Sequence, residues 1–488
     1  MISFLRRKST AAVLADAERP GQELRRSLGA FHLTMLGVGA IVGAGIFSSV
    51  GEVAAGANGN PGAGPALVVS YILCAIACGF AALCYAEIAA MVPVAGSAYT
   101  YSYVAFGEVI AWIIGWDLII EYAIGNIYVA QSWSDYFSSF LHGVFGVDFP
   151  AWMKTDMQSI QDMPEVAAQA PHIGDLAIGI NLPAMLIVLL LTVILVVGVR
   201  ESARFNAGMV VFKVGIVLAF IGIGAFFVEP SNWTPFAPNG FPGVWTGASL
   251  AFFSYIGFDA VSTAAEETAD PQRNLPRGMI GALVICTVLY ILLAVVMTGL
   301  VHWSELGTTD PLANALRVAG LDWFSNIVAL GAVVAVTSVL LVFMLGQPRI
   351  FLAMSRDGLL PPVFGRVHPR FRTPYVGTVL TGLVVAVLTN VMTSGQALEL
   401  TNIGTLFAFV LVSGGVIALR YLEPDRPRPF KVPLYPLTPL LAIVACVFLM
   451  SGLPATNWWR FGLWLLAGLI IYFMYGWRRS RLVRPTGG

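Results

Sequence analysis

The sequence predicts an all-α integral membrane protein of about twelve spanning helices, built as two inverted five-helix repeats whose first and sixth helices are broken. Three observations carry that prediction. Charged residues make up 11% of the 488-residue chain and hydrophobic residues 57%, with a mean hydropathy of +0.79, a balance that excludes a water-soluble domain of this length. Apolar stretches long enough to cross a bilayer recur from end to end. Two of them carry glycine interruptions at matching places in the two halves, the pattern that points to a substrate site between repeats.

The spanning stretches fall at roughly 31–55, 65–91, 107–141, 181–199, 205–228, 244–267, 278–301, 323–354, 375–393, 399–421, 433–453 and 458–477. The first holds GVGAIVGAGIF from Gly37 to Phe47, and the sixth holds FSYIGFD from Phe253 to Asp259. Glycine weakens a helix interior by about 1 kcal/mol relative to alanine. In lipid, an opened backbone survives only inside protein or beside a cavity. The third span contains Asp117 and Glu121, yet Trp112, Trp116, Ile120 and Ile124 repeat along one side, so it still reads as a helix. Spans one to five and six to ten can be laid over each other with the broken member first. An odd number of spans per repeat inverts the second, and spans eleven and twelve are appended. The expected partition is 1–29 as a cytoplasmic segment, 30–421 as the core, 422–477 as the last two helices and 478–488 as a cytoplasmic tail. Residues 142–180, with Pro150, Pro164 and Pro171, read as a surface excursion without a domain of their own.

Net charge is zero, but its distribution is ordered. Arg6, Arg7, Lys8, Arg19, Arg25 and Arg26 precede the first span, and Arg200 and Arg204 separate the fourth and fifth. Arg273 and Arg277 follow the sixth, and Arg356, Arg366, Arg370 and Arg372 the eighth. Arg426, Arg428 and Lys431 follow the tenth, and Arg478, Arg479, Arg481 and Arg484 close the chain. The alternate loops hold only Lys154, Arg317 and Arg460. The positive-inside rule then puts both termini in the cytoplasm. Because topology accounts for the basic tail, no nucleic-acid partner is expected. The N-terminus lacks the apolar core and cleavage site of a removable signal peptide. Cys74, Cys78, Cys84, Cys286 and Cys446 fall in apolar helices as packing residues, not as a disulfide or zinc framework.

Chemistry concentrates at the breaks. Unwinding at Val42–Gly45 would leave amides pointing into a cavity at the positive end of a half-helix, a site for a carboxylate. Carbonyls around Phe253–Ile256 would accept from an ammonium, so an amino acid is the natural ligand. The bland alternative is that these glycines only allow close helix packing. Lys213 lies about nine residues into the fifth span, where a lysine costs roughly 2.5–3.5 kcal/mol on insertion scales. It reads as a proton carrier linked to the position of the first helix, or as a lysine fixed on a carboxylate or on broken-helix carbonyls. Asp117 and Glu121 share one helix face; Glu121 is expected in the pocket and Asp117 in a structural role. Glu266 and Glu267, with Arg273 nearby, could form a gate by making and breaking ion pairs, or simply a solvated loop. Thr337 and Ser338 could ligate sodium but more often such hydroxyls bond back to their own helix. No phosphate loop, metal cluster or nucleophile triad occurs, so neither an enzyme nor a bound cofactor or metal is expected, and the proton is the expected coupling ion.

At this level the chain resembles the cationic amino acid transporter family of the amino acid–polyamine–organocation superfamily. The resemblance rests on GAGPA (62–66), LCYAEIAAMVPVAGSAYTYSY (83–103), GEVIAWIIGWDLIIEY (107–122), FFSYIGFD (252–259), Glu266–Thr268 with Pro271 and Gln272, and Pro348–Ile350 with MSRDGLLP (354–361). It implies a LeuT-like fold working by alternating access in a bacterial plasma membrane. It further implies that Ile41, Val42, Gly43, Ala44 and Gly45 hold the substrate carboxylate, that Phe253, Ser254 and Ile256 supply carbonyls for its amine, that Lys213 couples protons and that Glu121 faces the pocket. One position departs. Phe343 aligns with a small residue of the animal arginine and lysine carriers and would narrow the side-chain pocket toward small neutral amino acids such as alanine. The expectation is a proton-coupled symporter of L-amino acids, small neutral ones such as alanine and/or cationic ones. An exchanger without proton coupling and a non-transporting amino acid sensor are the alternatives.

Overall fold

Without water to bond to, a chain in lipid must satisfy its own amides, and nearly every apolar stretch here does so as helix. The computed structural model describes residues 6–8, 10, 13, 28–56, 59–94, 97–198 and 203–480, the side chains of 203–206 excepted. Arg19, Arg25, Arg26, Arg200, Arg481 and Arg484, on which part of the orientation argument rests, lie outside the described residues, as do the ends of the expected N-terminal and C-terminal segments.

In chain order the helices are α1 (Ala30–Ile41), α2 (Gly45–Ala55), α3 (Leu67–Met91), α4 (Ser97–Ala105), α5 (Glu108–Phe145), α6 (Leu182–Val197), α7 (Ala203–Gly224) and α8 (Gly240–Ala251). There follow α9 (Pro271–Leu300), α10 (Pro311–Val318), α11 (Asp322–Arg356), α12 (Tyr375–Leu388), α13 (Ser394–Leu422), α14 (Leu437–Ser451) and α15 (Ala455–Ile471). Each of the twelve expected stretches carries a helix. Among the described residues eight are long and apolar enough to cross a membrane, and nine if α1 and α2, bent by 44°, count as one span. The apolar helices α6, α12 and α14 are shorter.

Packing divides the spans into groups. Helix α9 lies against α1 and α3, and α8 against α3; on the other side α11 packs on α5, and α12 on α6. Helix α7 touches α1, α9 and α11, while α13 reaches α3, α5 and α14. The tryptophan column of α5 has a specific partner. Trp112 Nε1 donates to the Gly468 carbonyl at 2.8 Å and Trp116 Nε1 to that of Trp464 at 2.9 Å, both on α15. Outward faces carry exposed Leu186, Leu190 and Val193 on α6 and Val284 and Val288 on α9, as helices solvated by lipid should. The excursion at 142–180 has more structure than expected. A two-stranded antiparallel ribbon, β1 (His172–Ile173) and β2 (Leu176–Ala177), closes over a small core of Ile160, Ala170 and Ala177.

Candidate functional site

The two interrupted segments meet. Helix α1 ends at Ile41, Val42 turns extended (φ −76°, ψ 100°), and the chain resumes as a π-helical turn at Gly45–Ser49. The break is therefore tighter than the Val42–Gly45 expected, and the amides of Gly43, Ala44 and Gly45 find no backbone acceptor among the described residues. In the second segment, α8 tightens into a 3₁₀ turn at Phe252–Tyr255, Ile256 is extended (φ −60°, ψ 133°) and Gly257 takes φ +122° before 3₁₀ turns at Asp259–Glu267. A Cβ on Gly45 would run into the Ser254 backbone, and one on Gly257 into that of Ala40. Both glycines are needed because backbone crosses backbone here. Around the crossing, Ser49 Oγ bonds the Gly45 carbonyl and lies 3.3 Å from Ser254 Oγ, with Tyr71 Oη 3.5 Å from the same hydroxyl.

The carbonyl end of α1 is held by two side chains. Tyr290 Oη donates to the Ile41 carbonyl at 3.0 Å, and Lys213 Nζ donates to the Gly39 carbonyl. The same ammonium donates to Ser338 Oγ of α11 at 2.8 Å. Lys213 is buried, so it ties α7, α1 and α11 together at one point in the apolar interior. Neighbouring Thr337 accepts from Trp133 Nε1 at 2.8 Å and donates to the Val333 carbonyl at 2.7 Å. Both hydroxyls considered for sodium are thus engaged, one of them by the ammonium itself. Among the described residues no cluster of His, Cys, Asp or Glu is placed to hold a metal.

Next to the crossing lies a buried polar and aromatic wall. Glu121 sits in a second π-helical turn, Ile120–Ile124, inside α5. Asp259 and Asp117 lie within electrostatic reach of it, and the Thr405 hydroxyl of α13 stands beside it. Asp117 owes its room to Gly404, where a Cβ would come 2.9 Å from the carboxylate Oδ1. The Asp259 carboxylate faces backbone amides of Gly257 and Ala260. Phe343 of α11 meets the Tyr122 ring edge-on at 5.7 Å and would lie 3.5 Å from a Cβ on Gly125. It fills the space between α11 and α5.

One side of this region is closed. The Tyr128 and Phe253 rings pack edge-to-face at 4.8 Å, Ser48 Oγ bonds Ser132 Oγ, and Tyr136 Oη donates to the Phe47 carbonyl. Farther out, Asp310 accepts from Ser139 Oγ at 2.6 Å and from Arg317 at 2.8 Å. The opposite side opens into a vestibule of about 530 Å³ that runs between α1, the Asp259–Glu267 segment and α11. It reaches inward as far as Ala40 and Tyr122. Glu266, Glu267, Arg349 and Arg356 stand at its mouth. Arg273 does not: among the described residues no ion pair joins it to either glutamate, and it lines a separate groove.

The structure therefore brings Ile41–Gly45, Phe253, Ser254 and Ile256 together at one crossing, sets Lys213 at the end of α1, and places Glu121 and Phe343 on the adjoining wall. It separates Arg273 from Glu266 and Glu267. Sequence reasoning missed Asp259 as a neighbour of Glu121, Tyr122 at the vestibule's end, and the Tyr128–Phe253 cover. Asp259 carried a usable signal, an acid two residues past the break glycine; a tyrosine in an apolar run carries none.

A family model described as "Amino acid permease" matches residues 28–475. The chain is 45% identical to the branched-chain amino acid permease BcaP of Bacillus subtilis, over 98% of this chain and 99% of that one. It is 43% identical to the methylthioribose transporter of Bacillus subtilis, over 99% of this chain and 100% of the other. It is also 36% identical to the vacuolar cationic amino acid transporter 4 of Arabidopsis thaliana, over 87% of this chain and 68% of the plant protein.

Proposed function

The chain belongs to the amino acid permease family, whose members are membrane transporters and not enzymes, and from that premise we propose that it is a proton-coupled symporter of L-amino acids with small or branched apolar side chains. The substrate carboxylate sits on the amides of Gly43, Ala44 and Gly45, and its ammonium meets carbonyls of Phe253, Ser254 and Ile256. Those groups are complementary to a zwitterion and stand on facing breaks. Phe343 limits the side chain, in keeping with a relative named for branched-chain amino acids.

The observation that carries the coupling is the Lys213 ammonium shared between the Gly39 carbonyl and Ser338 Oγ. A cation at the carbonyl end of α1 is favourable, because that end carries the negative pole of the helix. Losing its proton removes the charge and weakens both bonds, which frees α1 to move against α11. Protonation then draws α1 back. No bound sodium or cofactor is needed, since the ammonium does the work of a cation at this place. Glu266, Glu267, Arg349 and Arg356 form the charged gate at the vestibule mouth, with Arg273 joining only in another conformation.

Topology belongs to the same reading. Residues 30–421 form ten spans in two inverted repeats with α6 and α12 as short crossing helices, and 422–477 add two more. The vestibule faces the cytoplasm of a bacterial plasma membrane, with both termini on that side, as the arginines around it favour.

The test is uptake of labelled alanine, leucine, arginine and methylthioribose into proteoliposomes, with and without an inward proton gradient, for wild type and Lys213→Ala. Gradient-driven accumulation of alanine or leucine, lost in the variant, is the expected result. Uptake only into preloaded vesicles, indifferent to the gradient, would make the protein an exchanger. Binding without any uptake would make it a sensor, and dominant uptake of arginine or methylthioribose would overturn the role given to Phe343.

A further inference from the structure

A second groove of about 490 Å³ lies outside the transport path, at the vestibule end of α9, between Gln272, Arg273, Arg277 and Ile280 on one side and Pro429 and Phe430 on the other. Arg273 and Arg277 are four residues apart, so they project from one helix face. Both are exposed, and among the described residues neither takes part in an ion pair. The facing wall is fixed. Arg428 donates to the Leu419 and Glu423 carbonyls at 2.9 and 2.8 Å, and the Val432 amide donates to Glu87 Oε2 at 2.6 Å, so the loop between them is anchored at each end. Below the arginines the same face of α9 continues as Val284, Val288 and Leu292, exposed by 57%, 52% and 44%. Two guanidinium groups that make no ion pair among the described residues thus stand beside an apolar track, at the start of a helix long and apolar enough to cross a membrane.

We propose that this groove is a binding site for an anionic phospholipid, its phosphate held by Arg273 and Arg277 and its acyl chains laid along Val284, Val288 and Leu292. The planar guanidinium fork suits phosphate oxygens, and basic pockets at the ends of membrane helices recognise anionic headgroups. The apolar track selects a lipid over a free phosphate, because only a lipid fills both parts. The site has a mechanical setting as well. Helix α9 packs against α1 and begins four residues after Glu267, so a lipid seated here anchors the wall beside which α1 moves.

The experiment uses the full chain in nanodiscs of phosphatidylcholine with or without phosphatidylglycerol, and counts retained lipids by native mass spectrometry. Wild type is expected to keep phosphatidylglycerol in preference to phosphatidylcholine. The R273Q/R277Q variant should lose that preference by about tenfold, and R273K/R277K should keep most of it. Thermal unfolding of the same samples verifies that the variants are folded, and R277Q alone supplies a milder reading. Equal retention of phosphatidylglycerol by R273Q/R277Q, or no preference in wild type, overturns the proposal. Binding of inorganic phosphate as tight as that of the lipid would do so too, by reducing the site to a free-anion site. None of these readings depends on transport, so they stand apart from the test of symport.

Discussion

Gly45 and Gly257 occupy positions where a single methyl group has nowhere to go. Gly45→Ala places a Cβ against the Ser254 Cα and amide, and backbone cannot yield as a side-chain tip can. Overpacking of this kind costs typically 1–3 kcal/mol, and here it also pushes apart the two faces of the proposed binding site. The expected outcome is loss of uptake with a lowered unfolding temperature. Gly79→Ala, where a Cβ meets nothing within 4 Å, should be neutral in both assays; equal behaviour of the two variants would remove the crossing from the mechanism. Much at this scale was legible in the sequence. Glycines at 43, 45 and 257 and a lysine at 213 stand out because an apolar run has no other use for them. Which atoms Lys213 would reach was not legible: Gly39 and Ser338 are distant in sequence, and only folding brings them to one ammonium.

Two of the three π-helical turns among the described residues fall at the candidate site, at Gly45–Ser49 and at Ile120–Ile124 around Glu121, and the third is at Tyr472–Gly476. Such turns insert an extra residue into a helix and re-aim the side chains beyond it, which is why they recur at functional sites. No local pattern announces them, so the sequence located the first break and missed how quickly helix resumes. The half-helix α2 is fastened to α5 through Ser48–Ser132 and through Tyr136 and the Phe47 carbonyl. Each such bond contributes a net ~0.5–1.5 kcal/mol. Tyr136→Phe with Ser132→Ala should therefore shift the population toward a form open on that side by several-fold. A cysteine at Ser49, in a chain whose described native cysteines are all buried, reports it through faster labelling by an impermeant maleimide. An unchanged labelling rate would mean that these bonds do not hold the closed side shut.

At the scale of the whole molecule, Lys8 and Thr10 of the N-terminal segment bond to residues at the vestibule end of the helices. Lys8 pairs with Asp357, which also accepts from Tyr99 at 2.7 Å, and Thr10 donates to Glu423 at 2.8 Å. Lys8 and Thr10 thereby hold the end of α11, which Tyr99 of α4 also holds, and the end of α13 in one arrangement. Removing one partner of a half-buried pair costs more than an exposed pair is worth, so Asp357→Asn should release the segment. Faster tryptic cleavage at Lys8 is the expected reading, and an unchanged rate would show that Thr10 and its neighbours suffice. The sequence conveyed where the apolar helices lie because bilayer thickness imposes length and hydropathy on a spanning segment. It conveyed nothing of this clasp, whose residues look like any basic juxtamembrane run. The crossing of the two breaks adds a last consequence. Where Gly45 rests on Ser254 and Gly257 on Ala40, two strands of main chain bear on each other with no side chain between them. Such a contact has the form of a fulcrum: in the proposed cycle a tilt of α1 on one side is answered by the segment beyond Gly257, and the solute rides at the bearing itself, where the least displacement governs the greatest swing.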